Sequence, residues 1–321
     1  MKVLVVGGAG YIGSHMVKLL LDATHEVVTL DNLESGYRDA VLGGPLVHGD
    51  VANGKLLDEL FKQQRFDGVM HFASYIQVGE SVRLPGKYYR NNVANTLNLL
   101  DAMVRHDVKR FIFSSTAAVF GEPTYVPIDE GHPRQPINPY GWSKWMVEQA
   151  LTDYDRAHGL KSVCLRYFNA AGAHPSGLLG ERHEPETHLI PLVLRTASGR
   201  QEAIKVFGTD YDTPDGTCIR DYIHVVDLCD AHLLALQRLM DGAGSDRFNL
   251  GNGNGFSVRA VIDTAERVTT RRVRVIEEGR RAGDPARLVA ESARAREQLG
   301  WRPQFADLET ILAHAWTWET K

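Results

Sequence analysis

Residues 2–20, KVLVVGGAGYIGSHMVKLL, place a short apolar strand pattern directly before a glycine-rich turn and a helical pattern directly after it. The turn contains Gly7, Gly10 and Gly13, and Gly8 with the last two also completes G-x-G-x-x-G. Glycine permits a tight turn, a close approach of the backbone to a pyrophosphate and close packing of the helix on the strand. Since the helix N-terminus then faces the anion, the stretch predicts a dinucleotide site, although a glycine-rich turn can also be purely structural.

An acidic residue at the end of the second predicted strand supports the dinucleotide interpretation. Asp31 lies 18 residues beyond Gly13, where a carboxylate can accept hydrogen bonds from an adenosine ribose. The same carboxylate repels a 2′-phosphate. The pattern therefore favours NAD over NADP, while Arg38 nearby leaves the phosphorylated cofactor open.

Short β-branched runs alternate with longer amphipathic stretches through the first half of the chain. The runs that predict strands are 2–6, 25–30, 68–72, 110–114 and 162–167. Most are apolar throughout, as expected of parallel strands that helices cover on both faces. The fold class predicted is α/β, a doubly wound parallel sheet of the Rossmann type with a second, smaller mixed α/β domain.

The regular alternation of strand and helix patterns ends after about Asn169, which predicts a domain boundary. A polar passage over 173–186 is followed by helical patterns at 189–198 and 220–240 and a strand pattern at 247–250. We expect an NAD-binding Rossmann domain over 1–170 and a nucleotide-sugar-binding domain over 171–321. Residues 220–255 are expected to pack back on the first domain.

Composition excludes several classes of protein. The 321 residues carry 36 Lys and Arg against 40 Asp and Glu without a basic stripe, so nucleic acid is not an expected partner. No apolar run reaches the length of a membrane span, which favours a cytoplasmic protein. Three cysteines without a CxxC pair predict free thiols. His183 and His188 have no recognised metal-ligand spacing, so we expect loop and surface histidines and no metal.

Tyr140 and Lys144 have the i, i+4 spacing of one helical face, in the run PYGWSK. A free phenol has a pKa of about 10 and is a poor base at neutral pH unless a nearby cation stabilises the phenolate. The pair follows a predicted strand that leads into Ser114, Ser115 and Thr116, whose hydroxyls can bond the same substrate oxygen. Together these residues predict proton removal from a sugar hydroxyl.

The chain as a whole resembles the extended short-chain dehydrogenases/reductases, and within them the NAD-dependent 4-epimerases of UDP-hexoses. The resemblance rests on GGAGYIGSH at 7–15, DNL at 31–33, GD at 49–50, HFAS at 71–74, VGES at 78–81, NNV at 91–93, SST at 114–116, YGWSK at 140–144, RYFNAAGA at 166–173, FGTDYDTPDGTCIRDYIHV at 207–225 and RRAGDPA at 280–286. The last two are far more specific than the tyrosine–lysine pair, which marks the whole superfamily.

The resemblance implies an isomerase that interconverts UDP-glucose and UDP-galactose at C4 through a transient 4-keto sugar. The hypothesis that the N-acetylated pair is also accepted rests on a departure from the family pattern at Leu288. The resemblance also implies a catalytic set and two binding sets. The catalytic residues are Tyr140, Lys144 and Thr116. Cofactor binding falls to Gly7, Gly10, Tyr11, Ile12, Gly13, Asp31, Asn32, Asp50, Val51, Phe72, Ala73, Ser74, Asn91, Ser114, Tyr140, Lys144, Tyr167 and Phe168. Substrate binding falls to Thr116, Tyr140, Asn169, His188, Leu189, Phe207, Arg220, Arg281 and Asp284.

Two departures and several alternatives remain at this point. Thr187 and His188 stand where some members have an Asn pair, and Leu288 stands where a bulky Tyr can occur. Ala117 and Ala118 replace the Asp-Glu of nucleotide-sugar 4,6-dehydratases, which argues against elimination. A 4-epimerase of UDP-glucuronate, UDP-xylose or UDP-arabinose remains open as an alternative, as does a non-catalytic NAD-binding regulator. The resemblance also implies a homodimer through the helices predicted at 93–106 and 139–158.

Overall fold

The computed structural model describes residues 1–281 and 284–321. Its strands are β1 Lys2–Val6, β2 Glu26–Asp31, β3 Leu46–His48, β4 Gly68–His71, β5 Arg110–Thr116, β6 Lys161–Tyr167, β7 Asn169–Ala171, β8 Ile204–Phe207, β9 Ile219–Arg220, β10 Tyr222–His224, β11 Asp246–Leu250, β12 Phe256–Ser257, β13 Val275–Glu278 and β14 Arg287–Leu288. Its α-helices are α1 Tyr11–Asp22, α2 Gly54–Gln63, α3 Val78–Arg83, α4 Pro85–Tyr88, α5 Asn95–Arg105, α6 Pro139–His158, α7 Leu189–Ala197, α8 Val225–Met240, α9 Val258–Thr269, α10 Ala293–Gln298 and α11 Leu308–Glu319.

A seven-stranded parallel sheet forms the centre of the molecule, with the strand order β11-β6-β5-β4-β1-β2-β3. Successive residues of β1 point into different cores. Val3 and Val5 pack with α1 and α8 on one face, and Leu4 and Val6 pack with α2, α5 and α6 on the other. Because both faces are covered, the strands are apolar throughout. The predicted doubly wound α/β fold is confirmed.

The later part of the chain builds a smaller layer around α7, α9 and α11, whose apolar faces share one core with β8. Asp221 links three segments of this part. Its buried carboxylate accepts the backbone N–H groups of Asn252 at 2.7 Å, Gly253 at 3.0 Å and Ala290 at 3.1 Å. Helix α8 packs on the first sheet, and strand β11 is an edge strand of that sheet, paired with β6. The division at residues 170 and 171 stays a prediction.

The structure differs from the predicted elements at three places. The helix predicted at 220–240 begins only at Val225, because residues 222–224 pair with β7 as a strand and the His224 side chain caps the helix at Val226 N–H. The short strand β3 carries no apolar run that sequence would reveal. A π-helical turn over Tyr89–Ala94 precedes α5. Within the described residues, no helix has the length and apolar character needed to cross a membrane.

Candidate active site

The glycine turn after β1 is shaped by close backbone contacts. A Cβ on Gly13 would lie 2.1 Å from the carbonyl oxygen of Gly7, and Gly7 itself has a φ of +80° and faces the backbone of Ala73. Gly10 is different, because the nearest atom to a Cβ built there is 3.5 Å away. Gly7 and Gly13 therefore serve packing, whereas Gly10 keeps the surface of the turn open.

Helix α1 begins directly behind Gly10, which offers the helix no side-chain cap among the described residues. The first N–H groups of a helix lack partners within it and carry the positive end of its dipole, so this end can bind an anion. The Tyr11 hydroxyl donates to Gly172 O at 2.7 Å, and the Ile12 side chain packs in the core. Both residues therefore offer backbone to a phosphate.

The acidic end of β2 lies beside this turn. Asp31 is 8% exposed and accepts the N–H groups of Ala9 at 2.9 Å and Leu33 at 2.8 Å, which orients its carboxylate. Asn32 Nδ2 donates to Asp50 Oδ2 at 2.8 Å. Val51 is buried in the core, so only its backbone is available to a ligand. The predicted adenosine residues are therefore neighbours in the structure.

The loop after β4 brings the next predicted residues to the same edge of the sheet. Phe72 N–H donates to Val6 O at 2.7 Å, next to the glycine turn. Asn91 is only partly buried, with Nδ2 3.5 Å from Ala73 O. Its neighbour Asn92 is fully buried. The Asn92 side chain accepts the N–H of Tyr75 and donates to the carbonyl oxygen of Tyr75 and, at 3.0 Å, to Ser143 Oγ. Asn92 thus ties the loop to α6.

The ammonium of Lys144 is 3% exposed and donates to Ser74 Oγ and Ser114 O, each at 2.8 Å. Burial lowers the pKa of this lysine to about 7. Ser114 Oγ also lies 2.5 Å from the hydroxyl of Tyr167. Burial raises the pKa of Tyr167, and the nearby Tyr140 adds to that effect. Four predicted cofactor residues therefore meet at the ends of β4, β5 and β6.

Tyr140 lies in the first turn of α6, whose N-cap is Asn138 with Oδ1 accepting Gly141 N–H at 2.9 Å. A Cβ on Gly141 would be 2.5 Å from Ala118 O, so this glycine lets α6 approach the turn after Thr116. Burial raises the pKa of Tyr140 to about 12, and the adjacent Thr116 hydroxyl partly offsets the effect. Within the described part of the chain, Lys144 makes no hydrogen bond to the phenol.

Four of the residues predicted to bind the nucleotide half of the substrate form two pairs. Arg220 donates to Asp284 Oδ1 at 3.2 Å and to Pro285 O at 2.8 Å, and the guanidinium of Arg281 lies 3.8 Å from the ring centroid of Phe207. Asn169 Nδ2 donates to Asp221 O at 3.0 Å, next to Arg220. Ala282 and Gly283 of the RRAGDPA motif lie outside the described residues.

The remaining predicted residues border these groups. Phe168 and Leu288 pack against the small core made by Ala117, Val119, Phe120 and Ile128. Leu288 also pairs with Arg220 in the parallel ladder between β14 and β9, so these two predicted positions are neighbours on adjacent strands. Leu189 starts α7, directly after His188.

The histidines at 183 and 188 lie in a loop and are partly exposed, as expected, but they are not isolated from other polar side chains. Their imidazoles are gathered with the carboxylates of Glu181 and Glu186 and are only partly exposed. Burial opposes the protonated form, but the hydrogen bond to Glu181 and the charges of both glutamates raise the pKa of His183 to about 10. Glu181 and Glu186 form no recognised ligand spacing with these histidines in the sequence, so the grouping is visible only in the structure.

The comparisons with known proteins agree with this geometry. The model of the NAD dependent epimerase/dehydratase family matches residues 3–251. UDP-glucose 4-epimerase of Halalkalibacterium halodurans is 51% identical over 318 residues, which cover 99% of this chain and 95% of that protein. A crystal structure of a UDP-glucose 4-epimerase is 50% identical with a TM-score of 0.98, covering 100% of this chain and 98% of that chain. The Brucella ovis enzyme in complex with NAD is 49% identical with a TM-score of 0.96, covering 98% and 97%.

A doubly wound sheet with a glycine turn and a tyrosine–lysine pair at one edge defines a dinucleotide-dependent enzyme of the short-chain dehydrogenase/reductase type. The chain belongs to the NAD dependent epimerase/dehydratase family. The predicted resemblance is confirmed, and with it NAD as the cofactor of the family. The roles of the individual site residues stay predictions.

The glycine turn supplies a test of cofactor binding. Gly10→Ala should leave the unfolding free energy of the cofactor-free protein nearly unchanged, because φ is −80° at this position and a Cβ has room. The same change should weaken NAD binding by about tenfold, or about 1.4 kcal/mol, because the methyl group faces the phosphates. Gly13→Ala should instead destabilise the protein by about 2 kcal/mol through overpacking. Calorimetry and urea unfolding measure the two effects.

The matched control is Gly54→Ala, where no described atom lies within 4 Å of the new Cβ. A Gly10→Ala protein with wild-type affinity for NAD would contradict the assignment of this turn to the pyrophosphate.

Proposed function

We propose that this protein is an NAD-dependent epimerase that interconverts UDP-glucose and UDP-galactose at C4. The observation that carries the proposal is the meeting of Tyr140, Thr116 and Lys144 at the edge of the sheet that also holds the glycine turn. The full-length similarity to UDP-glucose 4-epimerases supports the substrate.

The residues present fit a bound NAD. The uncapped start of α1 suits the pyrophosphate, and the oriented carboxylate of Asp31 suits the adenosine ribose. Lys144, bonded to Ser74 and Ser114 at the same edge of the sheet, would hold the nicotinamide half. When bound, NAD supplies the oxidant that accepts the C4 hydride of the sugar and returns it.

Tyr140 is the general acid and base of the proposed reaction. Its phenolate accepts the proton of the sugar 4-hydroxyl while C4 of the sugar is oxidised. The phenol gives the proton back when the 4-keto sugar is reduced on its other face. Thr116 Oγ1 accepts Ala118 N–H at 3.1 Å, and its O–H lies beside the phenol of Tyr140, where it can also donate to the substrate oxygen. The pKa of Tyr140 is about 12 in the protein without a cofactor, so the phenol is protonated at neutral pH. A positive charge near the phenol is therefore needed for it to act as a base at neutral pH.

The nucleotide half of the substrate is proposed to bind between the pairs Arg220–Asp284 and Phe207–Arg281. A guanidinium gives two parallel hydrogen bonds to a diphosphate, and a carboxylate accepts a ribose hydroxyl. Arg220 is already oriented by Asp284 and Pro285, so little conformational entropy remains to be lost on binding. UDP is the nucleotide that the relatives' names give.

Competing reactions are disfavoured by the same site. Ala117 and Ala118 follow Thr116 in a short 3₁₀ turn, where a dehydratase needs carboxyl groups. The comparisons do not favour the alternative UDP-sugars or a non-catalytic regulator.

The three cysteines are free and buried, which supports a reducing, cytoplasmic location for the protein. Cell fractionation tests this location.

We also propose that the N-acetylated UDP-sugars are substrates. Leu288 packs against the small core that contains Ala117, the residue after Thr116, and a longer tyrosine at this position would take up space near the proposed position of the sugar. A leucine leaves space for a 2-acetamido group.

Replacing Tyr140 tests the reaction. Tyr140→Phe should lower the conversion of UDP-galactose to UDP-glucose by about 10²–10⁴-fold, because the acid and base is lost. Chromatography of the products measures the reaction, and the absorbance of NADH should show no net change with the wild-type enzyme. Tyr154→Phe, later on the same helix and bonded to Asp101, is the control. A fully active Tyr140→Phe enzyme would contradict the mechanism.

Replacing Leu288 tests the substrate range. Leu288→Tyr should lower turnover of UDP-N-acetylglucosamine by about tenfold or more relative to UDP-glucose, because the added ring fills the space for the acetamido group. The ratio of kcat/KM for the two substrates is the measurement, with Leu42→Tyr at an exposed position as control. A wild-type enzyme inactive on the acetylated sugars would rule out the wider range.

A homodimer is proposed to form through α5 and α6. Trp142 and Met146, which are 41% and 43% exposed, lie four residues apart on one face of α6. Exchanging both for arginine should convert the dimer into a monomer, measured as molar mass by light scattering. Leu178→Arg, at another exposed apolar position, should leave the mass unchanged. A monomeric wild-type protein would overturn this proposal.

A further inference from the structure

The loop before α7 contains a cluster of two glutamates and two histidines, here called the EHEH cluster: Glu181, His183, Glu186 and His188. One donor atom from each side chain lies within 4.8 Å of the other three. His183 Nδ1 is 3.2 Å from Glu181 Oε1 and 3.7 Å from Glu186 Oε2. Four ligands around a zinc ion with bonds near 2.1 Å are about 3.4 Å apart, so these two pairs have the spacing of a tetrahedral site. His188 Nδ1 is in direct hydrogen-bond contact with Glu181 Oε1, and these two atoms must move apart when an ion binds.

The buried carboxylate of Glu186 is the second, independent observation. The residue is 9% exposed, and its Oε1 accepts the N–H groups of Thr187 at 2.8 Å and His188 at 2.9 Å. Its Oε2 is buried and has no hydrogen-bond partner among the described residues, although it faces His183. Backbone bonds to one oxygen that direct the other inward are typical of a metal-ligating carboxylate.

Among the described residues, no lysine or arginine competes with a cation for the two carboxylates of the cluster, those of Glu181 and Glu186. Arg182 lies on the same loop, but its guanidinium pairs with Asp39 and stacks on Tyr37. Two buried carboxylates therefore have only imidazoles as counter-charges.

We propose that the EHEH cluster binds one divalent transition-metal ion of the zinc type through Glu181, His183, Glu186 and His188. Imidazole nitrogen and carboxylate oxygen are ligands that zinc accepts, and the half-exposed side chain of His188 gives the ion access from solvent. The His183 ring lies edge-on to Tyr11 with 6.2 Å between centroids, so the ion would join the loop before α7 to the start of α1. The site assigns Nδ1 of His188 to the metal and leaves Nε2 for the nucleotide.

The test uses the tag-free holoenzyme with NAD, treated with a chelator and then titrated with ZnCl₂ or CoCl₂. We expect one ion per chain by elemental analysis, tetrahedral absorption bands for cobalt and a higher midpoint of thermal unfolding with zinc. His183→Gln and Glu186→Gln should each weaken zinc binding by about tenfold or more. His174→Gln, which changes a histidine of the same passage outside the cluster, should bind zinc as the wild type does.

Two results would overturn the proposal. One is a chelated wild-type enzyme that takes up no zinc at micromolar concentrations, which decides the question even where a variant does not fold. The other is wild-type zinc affinity in folded His183→Gln and Glu186→Gln proteins, which would place the ion elsewhere. Epimerase activity is measured in parallel and does not decide the test, because the cluster is assigned no part in proton or hydride transfer.

Discussion

The buried ammonium of Lys144 is the contact on which the arrangement of the site depends. It bonds Ser74 after β4 and the carbonyl of Ser114 on β5 while it belongs to α6, so three separate elements meet at one charge. A buried cation without such partners would cost several kcal/mol, so the two strand ends and the helix stabilise one another. The position of Tyr140, one helical turn earlier, follows from this contact.

A second buried charge, that of Glu148, holds α6 in place one turn further along the helix. Glu148, one turn after Lys144, makes a two-point ion pair with Arg166 of β6 and accepts Ser115 Oγ at 2.7 Å, all with fully buried side chains. Burial alone would raise the pKa of Glu148, but Arg166 holds it below its usual range. Removing one partner of such a pair typically costs about 3–5 kcal/mol, so α6 has little freedom to shift along β5 and β6.

Local patterns were sufficient for the fold and for many members of the site, because each pattern combines a residue type with a spacing. The glycine turn, Asp31 and the Tyr140–Lys144 pair belong to this group. Residues whose role depends on tertiary contact were not accessible in this way. Asn92 is significant only because α6 brings Ser143 to it, and β10 is a strand only because β7 lies beside it. The orphaned oxygen of Glu186 likewise has no sequence signal.

Burial acts in opposite directions on the two groups of the tyrosine–lysine pair. It raises the pKa of Tyr140 to about 12 and lowers that of Lys144 to about 7, so at neutral pH the phenol is neutral and the lysine is near the midpoint of its protonation. A phenol in this state cannot act as a base. A fixed positive charge beside it lowers its pKa, and the low polarity of the pocket strengthens that effect. In the proposed mechanism, the same burial would make proton transfer by Tyr140 depend on a bound, positively charged cofactor, so that the base would form only when the hydride acceptor is in place.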